Sequence, residues 1–312
     1  MSLWRDTVLG VTTQPAVQEF VVSHALARPL RDRFVAGETP SEALAATRRL
    51  NAAGFRVSLD HLGEDVRDAA AADAAVTAYE TLVAAIGRER VRSGISIKLS
   101  QLGLQIDRAG CQARLEQVLA AAAAARVFVR IDMERSAYTQ VTLDLLRAVW
   151  PRYHNVGVVL QAYLYRTAQD LADVLALGAT VRLCKGAYRE PPDVAYPDKA
   201  DVDANFARLA RRLLEADTYA AIATHDRRLI ARARADAEAL GRPRDSFEFQ
   251  MLYGVRRDLQ QALVREGYRV RVYVPYGREW YPYLTRRLAE RPGNLLFLAR
   301  SLWAEARGER AA

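Results

Sequence analysis

The stretch that decides the fold spans residues 156–186 and reads VGVVLQAYLYRTAQDLADVLALGATVRLCKG. It contains two short runs rich in β-branched residues, VGVVLQ (156–161) and TVRLCKG (180–186). Between them lies TAQDLADVLALG, a segment of helical composition that ends at a glycine. A strand, a helix and a second strand in this order favour parallel pairing, because the helix carries the chain back to the same end of the sheet.

Six more runs of the same kind occur before and after this stretch and continue the alternation of strands and helices. They are FRVSLD (55–60), ISIKLS (95–100), VFVRIDM (127–133), AAIATHD (220–226), FEFQML (247–252) and VRVYVP (270–275). Eight strands alternating with helices predict an α/β fold, a (βα)8 TIM-type barrel. The alternative, an open doubly wound sheet, is less favoured because no Gly-rich dinucleotide fingerprint follows the first strand. TPSEALAATRRLNAAG predicts a helix before the first strand. We therefore expect N-terminal helices over residues 1–54, packed on a catalytic barrel over residues 55–312.

Composition narrows the class of protein. The chain has 312 residues, a net charge of +8 and two cysteines. Its basic residues are mixed with acidic ones along helical segments, which predicts solvated helix faces and no nucleic-acid partner, while attraction to anionic lipid stays open. The N-terminus has no signal-peptide pattern and no apolar run looks long enough to cross a bilayer. We expect a cytoplasmic protein without a disulfide scaffold.

Lysine is rare in this sequence. Of the 45 Lys and Arg residues, only Lys98, Lys185 and Lys199 are lysines. A lysine kept where arginine is the rule suggests a site that needs a compact ammonium or a titratable amine. Lys98 and Lys185 lie at predicted strand ends, where a buried ammonium needs an acidic partner or an anionic ligand.

Chemistry in such barrels gathers at the carboxyl ends of the strands. Here those ends carry Asp60, His61, Lys98, Asp132, Gln161, Arg182, Lys185, Thr224, His225, Gln250 and Tyr273. Structural explanations exist for several of them. Asp132 could cap the next helix, His225 could be a hydrogen-bonded core histidine, and the two glutamines could satisfy loop backbone groups. Their concentration nevertheless predicts an active site.

A predicted C-terminal helix, EWYPYLTRRLAERPGN (279–294), carries an unusual polar group. Tyr283 precedes Arg286 and Arg287 by three and four residues, and Glu290 follows them at the same spacing, so all four share a face. A solvated salt bridge is the alternative for one arginine. Two guanidinium forks beside a phenol favour a clamp for a carboxylate or phosphate.

Several classes of chemistry lack their motifs. The sequence shows no Ser-His-Asp arrangement, no G-x-S-x-G elbow and no paired carboxylates of the glycosidase type. Its histidines are isolated from one another, so no metal site is predicted. What remains is a cationic, tyrosine-lined pocket formed by Lys98, Arg182, Lys185, Arg286, Arg287, Tyr188, Tyr273 and Tyr283. Such a pocket fits an anionic substrate together with a phosphate-bearing cofactor.

The motifs LDHLGE, SIKLSQLGL, VRIDME, VVLQAYLYRT, VRLCKGAYREP, ATHD, FEFQMLYGV and YVPYGREWYPYLTRRLAERPGN cover nearly the whole chain. Together they resemble the proline dehydrogenases, in particular the short monofunctional bacterial form. KGAYRE and the closing Tyr-x-x-Arg-Arg-x-x-Glu are the most specific of these. The resemblance implies a distorted barrel whose last helix covers the mouth, and non-covalently bound FAD. It also implies oxidation of L-proline to Δ1-pyrroline-5-carboxylate, the first step of proline degradation to glutamate.

The resemblance also implies roles for residues. Arg286 and Arg287 would grip the proline carboxylate with Lys98 opposite, and Glu290 would hold Arg287. Glu64 would pair with Arg286 as a gate over the substrate. The remaining substrate contacts would be Leu183, Tyr188, Tyr273 and Tyr283.

For catalysis and cofactor binding, the resemblance assigns Arg182 to flavin N5 and Asp132 to orienting groups at the substrate end. The other implied FAD contacts are Met133, Gln161, Lys185, Gly186, Ala187, Thr224 and His225. Cys184 stands where valine is expected in close relatives. The implied electron acceptor is a membrane quinone, hence peripheral attachment to the inner face of the cell membrane.

Two other classes remain open on the residues alone. A Schiff-base lyase of the aldolase type would use Lys185 or Lys98 as its amine nucleophile, but it leaves the paired arginines and the tyrosines unexplained. A basic binder of RNA or of membrane surfaces would show steeply salt-dependent binding and no cofactor.

Overall fold

A computed structural model describes residues 28–290 of the chain, with side chains described from residue 31 to residue 285. Eight strands pair in parallel in chain order and close into a barrel in which β8 returns to β1. The strands are β1 Arg56–His61, β2 Ser93–Ile97, β3 Val129–Ile131, β4 Val156–Gln161, β5 Thr180–Cys184, β6 Ala220–Ala223, β7 Glu248–Leu252 and β8 Arg269–Tyr276. The predicted TIM-type barrel is therefore confirmed.

Helices separate the strands and cover the barrel. In chain order they are α1 Arg28–Phe34, α2 Pro40–Ala52, α3 Ala69–Glu89, α4 Arg108–Ala124, α5 Thr139–Val149, α6 Thr167–Ala176, α7 Lys199–Glu215, α8 Arg227–Ala239, α9 Arg257–Arg265 and α10 Trp280–Glu290. Helix α2 begins where the sequence predicts it. Thr39 caps it and closes a capping box with Glu42, in which each side chain binds the backbone of the other residue. Helix α2 packs on β1 and β8. The rest of the expected N-terminal region, residues 1–27, and the chain after residue 290 lie outside the described residues.

Inward-facing side chains of the barrel are unusually polar. Because side chains alternate along a strand, positions two apart point the same way. On β3 and directly after it, this places Arg130 and Asp132 inside, and on β5 it places Arg182 and Cys184 inside. The helix-facing positions carry the apolar core instead, with Ile131 and Leu183 fully buried. The barrel thus keeps its hydrophobic layer between strands and helices and its charged groups at the centre.

Helix α3 is long and apolar enough to cross a membrane by length and composition, whereas the sequence pattern predicts no such run. Its buried residues include Val76, Tyr79, Leu82 and Val83, which belong to the main hydrophobic core of the barrel. The apolar character of α3 is therefore explained by its position as a core helix.

Helix α10 packs on a small hydrophobic cluster of its own. Tyr283 and Leu284 on α10 contact Phe34 and Val35 at the end of α1, together with Leu62 from the loop after β1. Gly277 precedes α10, has φ +126°, and donates its backbone N–H to Gly37 at 3.0 Å. The chain thus turns over the rim of the barrel and brings Tyr283 to the mouth.

Candidate active site

A cavity of about 730 Å³ opens at the carboxyl ends of the strands. Cavities of this size hold cofactors and drug-sized ligands. The candidate residues from the sequence that line it are Asp60, Lys98, Asp132, Met133, Gln161, Arg182, Lys185, Gly186, Ala187, Tyr188, Thr224, His225, Gln250, Tyr273 and Tyr283. The fold therefore gathers most of the strand-end candidates around one space.

Asp132 is the centre of a hydrogen-bond network on the floor of this cavity. Its carboxylate accepts from Nη1 of Arg182 at 2.8 Å and from the hydroxyl of Tyr273 at 2.7 Å. Nη2 of Arg182 donates to Oγ of Ser96 at 2.9 Å, and the guanidinium lies 5.2 Å from the centre of the Tyr273 ring. These contacts hold the guanidinium in one orientation. The carboxylate is therefore engaged inside the barrel rather than at the cap of a helix.

A second buried ion pair joins Lys98 and Asp60, with Nζ and Oδ1 3.1 Å apart. Burial lowers the pKa of Lys98, but Asp60 and Asp132 raise it more, so the net shift is upward and the ammonium stays charged. Burial raises the pKa of Asp132 more than Arg182 lowers it, so the net shift is upward. The floor therefore carries two fixed cations beside two carboxylates.

The wider part of the cavity is rimmed by cations that the strand-end pattern does not reveal. Lys199 on α7, Arg227 and Arg228 at the start of α8, and Arg256 before α9 all line it. They lie on helix starts and loops, away from strand ends. The only signals in the sequence are the rarity of lysine and the paired arginines. Such a rim suits a ligand that carries phosphate groups.

Lys185 belongs to this rim and is already paired with acids. Its ammonium forms ion pairs with Asp203 and with Asp226, the latter at 3.3 Å, and Lys199 also pairs with Asp203. Burial raises the pKa of Asp226, but Arg228 and Lys185 lower it more, so its carboxylate stays ionised. An ammonium held by two carboxylates is a poor nucleophile.

The loop after β5 approaches its neighbours closely. Gly186 has φ +118°, a conformation that favours glycine, and a Cβ at this position would overlap the Tyr163 ring. The backbone N–H of Tyr163 donates to the Lys185 carbonyl at 2.8 Å. The hydrogen bond between Tyr163 and Lys185 therefore holds the backbone at Gly186, which has no side chain, against the cavity wall.

Thr224, His225 and the two glutamines are held by hydrogen bonds of their own. Thr224 Oγ1 accepts from the Asp226 N–H at 3.1 Å, and His225 Nε2 accepts from the Leu252 N–H at 2.9 Å. A neutral His225 therefore carries its proton on Nδ1. Gln161 donates to the Glu134 carbonyl at 2.9 Å, whereas Gln250 Nε2 donates to the side-chain Oε1 of Glu248 on its own strand at 2.5 Å. The loop-closing explanation proposed for Gln161 applies, although the residue also lines the cavity.

Other candidates lie elsewhere. Leu183 is fully buried among the helix-facing core residues, because alternation along β5 points it away from Arg182, so it does not line the cavity. His61 packs on Tyr276 with ring centres 5.2 Å apart and is not a lining residue, and neither is Glu64. The backbones of Arg286, Arg287 and Glu290 are helical in α10, but their side chains fall outside the described residues.

Glu134 and the interior of the barrel were missed by sequence reasoning. Glu134 is 5% exposed and accepts from the Ser100 N–H at 3.0 Å, which ties the β2 and β3 loops together. Below the floor lie Arg130, Glu248 and Arg271, all directed into the barrel. Each member of this deeper layer lies two residues before a strand-end candidate, Arg130 before Asp132, Glu248 before Gln250 and Arg271 before Tyr273, and this spacing could have identified the layer.

Cys184 lines the cavity, and its reactivity is testable. Burial raises the pKa of its thiol to about 12. At pH 8 the reactive thiolate should be roughly a thousandfold scarcer than in an unfolded chain. We expect iodoacetamide to label Cys184 of the folded protein at a correspondingly lower rate, measured by mass spectrometry. The chain unfolded in guanidinium is the control, and equal rates in the two states would contradict the burial of the thiol.

Comparison with known proteins agrees with this geometry. Residues 43–300 match the family model described as proline dehydrogenase. The chain is 42% identical to proline dehydrogenase 2 of Bacillus subtilis over 265 residues, which cover 85% of this chain and 88% of that protein. It is 41% identical to proline dehydrogenase of Deinococcus radiodurans over 309 residues, covering 96% and 98% of the two chains.

Among solved structures, proline utilization A from Bdellovibrio bacteriovorus, inactivated by N-propargylglycine, superposes with a TM-score of 0.80 at 28% identity. The match covers 84% of this chain and 32% of that one, so this chain spans about a third of the length of that protein. The family match, the two relatives and the barrel lead to one conclusion: the chain belongs to the proline dehydrogenase family.

Proposed function

We propose that this chain binds FAD non-covalently in the barrel cavity and oxidises L-proline to Δ1-pyrroline-5-carboxylate. The observation that carries the proposal is the Arg182–Asp132–Tyr273 network, a fixed cation at the floor of a cation-rimmed cavity. FAD, when bound, supplies the acceptor for the hydride that leaves the proline carbon next to nitrogen. The protein supplies binding, orientation and charge.

The residues present fit a flavin dinucleotide. Lys185, Lys199, Arg227, Arg228 and Arg256 make the wide end of the cavity strongly cationic, as a pyrophosphate requires. Gly186 lets the backbone approach closely where any Cβ would collide with the Tyr163 ring. The remaining flavin contacts proposed from the resemblance are Met133, Gln161, Ala187, Thr224 and His225, all of which line the cavity.

At the floor, Arg182 places a cation where the negative charge of the reaction develops, and Asp132 with Ser96 keeps it in position. Lys98, held by Asp60, offers an ammonium to the proline carboxylate. Tyr188, Tyr273 and Tyr283 would enclose the apolar ring of the substrate and exclude water. Arg286 and Arg287 would complete the carboxylate clamp from α10, supported by Glu290 and closed by Glu64.

The experiment that tests this function uses the purified full chain. We expect an oxidised-flavin absorbance spectrum that bleaches when L-proline is added without oxygen, with stoichiometric formation of the pyrroline product. A colourless protein that also fails to take up added FAD would refute the proposal. Trapping of a carbonyl substrate on Lys98 or Lys185 by borohydride would support the Schiff-base lyase instead.

Replacing Arg287 by methionine should weaken proline binding while FAD stays bound. Loss of one charge-assisted fork on a carboxylate is expected to raise KM for L-proline by roughly tenfold or more. Steady-state kinetics with a flavin absorbance spectrum checks both halves of the prediction. Arg278→Met, at an exposed arginine just before α10, is the matched control. An unchanged KM in Arg287→Met would remove Arg287 from the clamp.

For the oxidative half of the cycle we propose a membrane quinone as acceptor, at the inner face of the cell membrane. The family resemblance supports this, and the net charge of +8 favours contact with anionic lipid. Proline-dependent reduction of a soluble quinone analogue, together with cosedimentation with anionic but not neutral vesicles, is the expected result. Reduction of the analogue without any binding to vesicles would refute the membrane contact alone.

A further inference from the structure

One layer below the cavity floor, three charged side chains share the interior of the barrel. We call this group, Arg130, Glu248 and Arg271, the basal layer. Arg271 and Glu248 form a two-point ion pair, with Nε–Oε1 at 2.7 Å and Nη2–Oε2 at 3.0 Å. Burial raises the pKa of Glu248, but Arg271 lowers it more, so the carboxylate stays ionised. Arg271 thus neutralises Glu248.

Arg130 has no carboxylate partner within ion-pair distance among the described side chains. It is 4% exposed, and its Nη1 donates to the carbonyls of Val158 at 3.1 Å and Thr180 at 2.6 Å. Gly157 makes room for it, since a Cβ there would lie 2.5 Å from Nη1. These hydrogen bonds from Nη1 to carbonyls do not cancel the charge of the guanidinium. The basal layer therefore carries one positive charge in excess.

This charge acts close to the proposed chemistry. Arg130 lies on β3 two residues before Asp132, which directly follows that strand, so the two inward side chains leave the backbone only about 7 Å apart. Burial and, to a smaller extent, repulsion by Arg182 together lower the pKa of Arg130 to about 9. The guanidinium remains protonated at neutral pH and lies within electrostatic reach of Arg182.

We propose that Arg130 is an electrostatic support of the redox site, which raises the reduction potential of bound FAD through the buried field of the basal layer. The proposal rests on the proposed function. Uptake of two electrons and one proton gives the isoalloxazine one additional negative charge. A fixed cation in a water-poor interior stabilises that charge without reorganising during the reaction. Arg130 does this from beneath the floor, without touching the substrate.

The test compares midpoint potentials of FAD-loaded full-length variants, measured against a reference dye. In Arg130→Gln the amide still donates to the carbonyls while the charge is lost, and Arg130→Met removes both. A unit charge acting over about 10 Å at an effective dielectric constant of about 20 changes an equilibrium roughly tenfold. For a two-electron couple this corresponds to a potential lower by about 30 mV. Arg130→Lys should stay near the unmodified value.

Two further variants separate the field of Arg130 from general damage to the fold. Glu248→Gln removes a negative charge from the same layer, so we expect the potential to rise. Arg152→Met removes an exposed arginine that contacts Glu116 outside the barrel, and it should leave the potential unchanged. If neither of the two neutral Arg130 variants folds, the direction of the shift in Glu248→Gln decides whether charge in the basal layer controls the potential.

The outcomes distinguish this inference from the function beneath it. Lower potentials in the neutral Arg130 variants and a higher one in Glu248→Gln support it. Unchanged potentials in FAD-loaded, folded variants that still oxidise L-proline would refute the role of Arg130 while leaving the proposed function intact. Failure of the unmodified chain to bind FAD would instead refute both.

Discussion

Replacing Arg182 by methionine is expected to slow the reduction of bound FAD by L-proline by about 10²–10³-fold. Removing one fixed donor aimed at developing charge typically has an effect of this size. On the cavity floor, the guanidinium of Arg182 is held by hydrogen bonds to Asp132 and Ser96 at the same time. Proline binding should change far less, because Lys98 remains. Stopped-flow absorbance under anaerobic conditions measures the reduction rate and its dependence on proline concentration separately.

Two further variants test whether a slower reduction rate is due to the loss of the Arg182 guanidinium. Arg182→Lys retains the charge but not the fork, so we expect partial recovery of the reduction rate. Arg135→Met removes an exposed arginine that is paired with Asp65 and does not line the cavity, so FAD in this variant should be reduced at the unmodified rate. A folded Arg182→Met protein with a normal reduction rate and a raised proline KM would instead make Arg182 a substrate-binding residue.

Replacing Gly186 by alanine is expected to weaken FAD binding by roughly a hundredfold. The added methyl group would be forced onto the Tyr163 ring in a backbone conformation that already disfavours alanine. Strain of this kind costs on the order of 1–3 kcal/mol. Displacement of the loop after β5 would also move Lys185 and Ala187. Fluorescence titration of FAD into the flavin-free variant measures the dissociation constant.

Gly267 provides the matched control for this prediction. It has a similarly positive φ, +85°, but a Cβ there meets no atom within 4 Å, and it lies away from the cavity. Gly267→Ala should therefore show the backbone strain as a lower melting temperature while binding FAD normally. Equal FAD affinity in Gly186→Ala and the unmodified protein would place the dinucleotide elsewhere.

Local pattern was enough to predict the barrel. Each of the eight strands occurs within or beside its predicted run, and VGVVLQ matches β4 residue for residue. Burial on both faces favours β-branched runs, and helices between them allow only parallel pairing. Thr39, Pro40 and Gly54 also mark the start and the end of the α2 region by local chemistry. Such signals need no knowledge of distant contacts.

The site was predictable in part, because the carboxyl ends of parallel strands converge whatever the loops do. Lys98, Asp132 and Arg182 follow from that rule. Their pairing does not, since Arg182 is separated from Asp132 by 50 residues and the contact forms only when the barrel closes. The contacts of the basal layer could not be predicted for the same reason, because the carbonyl partners of Arg130 lie on two other strands.

Leu183 shows why a substrate-contact role taken from a sequence motif can disagree with the structure. The motif places it beside Arg182, yet neighbouring positions on a strand face opposite sides of the sheet. The rim cations were hidden for a different reason. Lys199 and Arg228 lie on helix starts, where basic residues are ordinary surface features, and only the closed barrel turns them toward the cavity.

The most direct measurement is a crystal structure of the FAD-loaded chain soaked with a proline analogue that cannot be oxidised. We expect the dinucleotide along the cationic rim and the analogue on the floor, with the carboxylate of the analogue contacting Lys98 and the α10 arginines and its ring near Arg182. Density for the analogue in another part of the molecule, with the floor of the barrel holding only solvent, would contradict the account.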